Sequence, residues 1–198
     1  MIIGDPNTFA IESGITSAYD RLSFRALGFF VLFIGGRRYG VYKPDASLLA
    51  CSFEEVKDRI AQRGLHTAPF AVEHNAERIA DTFREAIFGD EPAEQYLGFS
   101  LAEIRSRFYT ELNDCMWAPD GDEAFDDGSF VLQFDIDDRV RLIAFQSGDG
   151  NSYISGTLRD VWLKADTFYD VLKSWYAAFE SEWHSMEKTA ECATPPGP

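Results

Sequence analysis

The residues able to do chemistry in this 198-residue chain are few and scattered. His66, His74 and His184 form no metal pattern such as His-Glu-x-x-His. Each falls near the end of an expected helix, and all three read as surface histidines. Cys51, Cys115 and Cys192 lack a neighbouring histidine in a nucleophile context. Cys51 precedes an expected helix N-terminus, where a thiol can be activated, yet no base accompanies it. A Gly-x-Ser-x-Gly elbow is missing. Gly35-Gly36 runs on into two arginines and a strand, so it is no phosphate loop, which needs a following helix.

Carboxylates are the one concentrated resource. Residues 120–138 hold Asp120, Asp122, Glu123, Asp126 and Asp127, then Asp135, Asp137 and Asp138. A calcium loop wants acids at alternate positions, a central glycine and a glutamate at the twelfth position. That register is absent. Paired carboxylates can hydrolyse glycosides, but only at a defined separation in space that spacing in sequence does not give. The segment reads as a solvated loop and hairpin turn, or as a surface for a partner. Trp117, beside Met116 and Pro119, could anchor such an interface, or cover the edge of the core. Neither an enzyme nor a cofactor or metal is expected.

Charge narrows the partners. Lys and Arg total 18 against 33 Asp and Glu, a net charge of -15. Residues 101–150 alone carry 12 acidic and four basic side chains, whereas the first 50 residues are slightly basic. Nucleic-acid ligands need a basic footprint, so none is expected. An acidic surface attracts basic proteins and speeds their encounter, and it also keeps a protein soluble. No apolar run approaches the 18 or more residues of a membrane span. The opening MIIGDPNTFAIE lacks the basic and apolar regions of a signal peptide. Three distant cysteines suit free thiols in a reducing cytosol. The expectation is a cytoplasmic protein with no membrane association, its oligomeric state open.

The elements that would position these groups follow from periodicity. With 45% hydrophobic and 15% aromatic residues, the chain can build a core; at this length a fold buries about 70% of its unfolded surface. Residues 1–186 are expected to form one domain, and 187–198, ending Thr-Pro-Pro-Gly-Pro, a disordered tail. Short strands are expected around Ile2-Ile3 and Phe9–Ile11. A hairpin is expected from residues 27–34, through Gly35-Gly36, to 37–42. Three helices should follow: one capped by Ser52 with Phe53, Val56 and Ile60 on its apolar stripe; one over about 73–88; and one opened by the Ser100–Glu103 capping box. Alternation in residues 130–136 and 140–144 predicts a second hairpin turning near Asp137-Asp138, with one buried face. A strand over about 152–163 should lead into a last helix capped by Asp166. Its residues Phe168, Leu172, Trp175, Tyr176, Phe179 and Trp183 form a broad core stripe. Hairpins without repeated βαβ units point to the α+β class, an antiparallel sheet of about five to six strands with about four helices on it.

Three stretches carry a resemblance. They are residues 1–11, Met-Ile-Ile-Gly-Asp-Pro-x-x-Phe-Ala-Ile; Leu27-Gly28-Phe29-Phe30 leading to Gly35-Gly36; and Asp160-Val161-Trp162-Leu163 followed by Phe168, Tyr169 and residues 175–183. Together they resemble immunity proteins of bacterial polymorphic-toxin and contact-dependent growth inhibition systems, with immunity protein family forty-two the nearest fit. The resemblance implies a protein that binds the C-terminal toxin domain of a cognate secreted effector in the cytosol and blocks it. Such toxins are often nucleases with basic clefts, which an acidic inhibitor can occlude. The alternative is a general acidic binding module, for example a nucleic-acid mimic that inhibits another enzyme. On the immunity reading, the contact surface would be residues 120–138: Asp120, Asp122, Glu123, Asp126, Asp127, Asp135, Asp137 and Asp138, with Trp117 beside them.

Overall fold

The computed structural model describes residues 1–89, 97–107, 112–118, 123–148 and 153–189. Over these residues it is an α+β fold with two sheets and four α-helices. The first sheet begins with β1 (Ile2–Asp5), β2 (Phe9–Tyr19), β3 (Ala26–Ile34) and β4 (Arg37–Tyr39), paired antiparallel in that order. β5 (Ser47–Leu48) joins the other end of β3. The expected glycine turn is present: Gly35 and Gly36 have φ of 56° and 79°, the left-handed values that a tight hairpin requires and glycine adopts freely.

The helices are α1 (Leu49–Ala61), α2 (Ala76–Phe88), α3 (Leu101–Arg107) and α4 (Ala165–Ser185). Two expected caps are corrected. α1 starts three residues before Ser52, so Ser52 is buried inside the helix. α4 starts at Ala165, which places Asp166 in the first turn. There it favours the helix dipole and pairs with Arg63 at 2.6 Å, the contact that holds its carboxyl below the usual range. The capping box on α3 is formed as expected: Ser100 N and Oγ both donate to Glu103 Oε2, and Glu103 N donates to Ser100 Oγ.

The second sheet consists of β6 (Met116–Ala118), β7 (Ser129–Ile136), β8 (Arg139–Gln146) and β9 (Arg159–Lys164), antiparallel throughout. The expected single sheet is thus two. A last strand, β10 (Lys188–Thr189), lies parallel to the end of β2. This strand falls within the expected tail 187–198; the rest of that tail lies outside the described residues.

The β7–β8 sheet is buried on both faces, not on one. Phe130, Leu132, Phe134, Ile143 and Phe145 pack with α2 and Ile104 of α3. Val131, Val140, Leu142 and Ala144 pack with the first sheet, α1 and α4. The aromatic stripe of α4 fills this second core as its spacing predicts: Phe168, Leu172, Trp175 and Phe179 have no exposed surface. Burying each such side chain contributes about 1.5–3 kcal/mol. The two indoles of α4 keep their polar ends satisfied. Trp175 Nε1 donates to Ser13 Oγ, and Trp183 Nε1 donates to the Arg25 carbonyl.

Candidate partner-binding surface

β7 decides how the acidic segment is laid out. Its eight residues span about 25 Å at ~3.3 Å per residue. Glu123, Asp126 and Asp127 precede it and are exposed at one end of the second sheet. Asp137 and Asp138 form the turn after it and are exposed at the other end. A segment continuous in sequence is therefore two patches in space. Asp120 and Asp122 lie outside the described residues.

The carboxylates also differ in use. Asp127 is tied into the fold: Oδ1 accepts from Ser129 N, and Oδ2 accepts from Gly40 N and Gln146 Nε2. Glu123 and Asp126 form no side-chain hydrogen bond with a described residue and face solvent. Asp137 sits in the left-handed region at φ 51°, a conformation that aspartate tolerates at turns. The Asp138 carbonyl accepts from Ala165 N, which fixes this turn against the start of α4.

Two of the expected surface residues are interior. Trp117 belongs to β6 and is 3% exposed, wedged against Phe9 and Phe168 with the Arg59 guanidinium over its ring. Asp135 is the acceptor at the centre of a buried polar network. Its Oδ2 accepts from Gly64 N at 2.8 Å and from His66 Nδ1 at 2.9 Å, and Tyr169 Oη lies 2.9 Å from both oxygens. Burial pushes this carboxyl up, but the bonds from His66, Tyr169 and Gly64 outweigh it and hold the group below the usual carboxylate range. The same burial raises the Tyr169 hydroxyl, with the Asp135 charge adding to it. Next in the network, Gln133 Nε2 donates to Tyr169 Oη and Gln133 Oε1 accepts from Arg59, whose Nε donates to Glu55 at 2.6 Å.

His66 is consequently a buried residue, 1% exposed, and not the surface histidine its position near a helix end suggested. The polar alternation Gln133, Asp135 along β7 signals this inward network, not a solvent face. Cys115 is buried beside it, and desolvation pushes its thiol up to about 12, so it is an unreactive sulfur. Cys51 is exposed in the first turn of α1.

Above the network opens a polar cleft of about 190 Å³, lined by Glu55, Asp58, Arg59, His66 and Asp114 among others. Nothing in the sequence groups these residues, because α1, the 64–67 loop and the 113–115 turn meet only in the fold. Among the described residues, no group of three or more His, Cys, Asp and Glu side chains could hold a metal ion. No described helix is long and apolar enough to cross a membrane.

The family described as Immunity protein 42 matches residues 1–178. Among solved structures, the chain is similar to CdiI from Burkholderia dolosa AUO158, with a TM-score of 0.56 and 19% identity. That alignment covers 90% of this chain and 99% of the other, which establishes a shared fold. No curated protein matches significantly.

Proposed function

Since this chain belongs to the Immunity protein 42 family, we propose that it binds the toxin domain of a cognate secreted effector and neutralises it in the cytosol. The family match over residues 1–178 carries the reading. The net charge of -15 suggests the sign of the partner surface. A nuclease toxin suits it best, because a cleft that holds phosphates is lined with cations and attracts carboxylates in their place. The turn bearing Asp137 and Asp138 makes the direct contact. Glu123 and Asp126, at the far end of β7, steer the encounter together with the segment holding Asp120 and Asp122. Asp127, Asp135 and Trp117 support the fold behind these surfaces.

The test is co-expression with the toxic domain encoded immediately upstream of this chain's gene. Cells should survive and the two proteins should co-purify. An Asp137→Lys/Asp138→Lys variant should bind at least tenfold more weakly, with a shallower dependence on salt. Cell death despite soluble wild-type protein would refute the proposal.

A further inference from the structure

Another pocket, of about 300 Å³, opens where β5 runs into α1. Among the described residues it is lined by Ser23, Phe24, Ser47, Leu48, Cys51 and Glu123. Ser47 is 4% exposed, and its hydroxyl is buried without a hydrogen-bond partner. Buried polar groups in folded proteins are almost always paired. Alanine would occupy the same place without an unpaired hydroxyl, so this group costs the free chain stability. A residue that lines a pocket can find its missing partner in a ligand.

The other walls define that partner. Phe24 and Leu48 are half-buried and offer apolar surface. Glu123 is exposed, and its carboxylate has no hydrogen bond or ion pair with a described residue. Ionised, it can only accept. The pocket also borders the start of α1, which has neither a capping side chain nor an acid in its first turn. The positive end of that helix dipole is therefore uncompensated. Arg21 adds a second positive group, its guanidinium over the Phe24 ring and bonded to Ser23 Oγ. An entering cation is opposed by these groups, and an entering anion by Glu123. The complement is a neutral group that both donates and accepts.

Tyrosine has that set: an apolar ring and a hydroxyl that can donate to Glu123 while accepting from Ser47. Tryptophan offers only a donor and phenylalanine neither, and a carboxamide leaves the apolar walls uncovered. The volume lies at the lower end of the ~300–1,000 Å³ of small-molecule sites, which suits a single ring. We propose that this pocket takes a tyrosine side chain of the toxin domain, its ring against Phe24 and Leu48 and its hydroxyl between Ser47 and Glu123. The proposal rests on the immunity reading above. It adds a neutral anchor beside one end of the acidic segment, where aromatic side chains seated in pockets carry much of the binding energy of an interface.

The experiment uses the full chain and the purified toxic domain encoded immediately upstream of its gene. Affinity is measured for wild type and Ser47→Ala at low and at high salt, with a melting curve for each. Ser47→Ala should melt at or above wild type, since it removes an unpartnered buried hydroxyl. It should nevertheless bind about fivefold or more weakly, by the same factor at both salt levels, because a neutral contact is not screened. The Cys51 thiol is exposed in the same pocket. Its alkylation should slow roughly tenfold or more in the complex, because thiol reactivity needs access; buried Cys115 serves as the unreactive reference. Wild-type affinity in the variant, a loss that disappears at high salt, or unchanged alkylation of Cys51 in the complex overturns the pocket. A fall in both melting temperature and affinity also overturns it, because Ser47 then belongs to the fold. If the wild-type chain does not bind at all, the immunity reading itself fails and the pocket with it.

Discussion

Replacing Asp135 with alanine removes the acceptor around which β7, the 64–67 loop and α4 are joined. Besides the longer contacts from His66 N at 3.3 Å and Gln133 Nε2 at 3.4 Å, three donors lose a close partner: Gly64 N, His66 Nδ1 and the Tyr169 hydroxyl. Gly64 is exposed and can turn to water. The other two are interior, and each buried donor left without a partner costs about 1–3 kcal/mol. His66 can exchange tautomer and accept from Gln133 Nε2, which lies 3.2 Å from Nδ1, recovering about 1 kcal/mol. The net loss is about 3 kcal/mol. At roughly 2–4 °C per kcal/mol for a chain of this size, melting should fall by about 6–12 °C. The effect also has a signature in pH. The folded Asp135 carboxyl is held below its ordinary value, so as pH falls the unfolded chain takes up the proton first. The stabilisation is complete above the unfolded value of about 3.9 and is lost as pH falls through the folded one. Calorimetry of both proteins at several values between about pH 5 and pH 3 should show a constant gap at the upper end that narrows below about pH 4. A variant that melts within 2 °C of wild type, or a gap that widens on acidification, refutes the network as described.

Two further substitutions probe the fold. Trp117→Ala should destabilise by about 3–5 kcal/mol, as expected for a large aromatic removed from a core; a melting curve unchanged from wild type would return Trp117 to the surface. Gly28→Ala should leave little soluble protein, because a Cβ there would run into the carbonyl oxygen of Gly14 on the paired strand β2, and soluble yield is the readout.

The elements were legible where local chemistry defines them. Gly35-Gly36, the Ser100–Glu103 box and the alternation on each side of Asp137-Asp138 each specify a local geometry, and each appears where expected. The α4 stripe was equally readable, since aromatics spaced by three and four must face a core. What sequence did not reveal depends on partners distant in the chain. Gln133 and Asp135 looked like the wet face of a strand because the residues that bury them, His66 and Arg59 on one side and Tyr169 on the other, lie 34 to 74 positions away. The acidic neighbours of Trp117 suggest an interface anchor, yet a three-residue strand pairing with β7 draws it inward. The acidic segment misled in the opposite sense: adjacency in sequence suggested one patch, and the length of β7 separates it into two. The cleft gave no signal, because residues of α1, a loop and a short turn meet there only in the fold.

The central claim is that this chain silences a toxin by binding it. The most direct measurement is the activity of the purified cognate toxin domain on its own substrate, titrated with the purified chain. The account predicts a linear fall that reaches zero near one equivalent and is relieved as salt rises. Full toxin activity at a saturating excess of folded chain would contradict it.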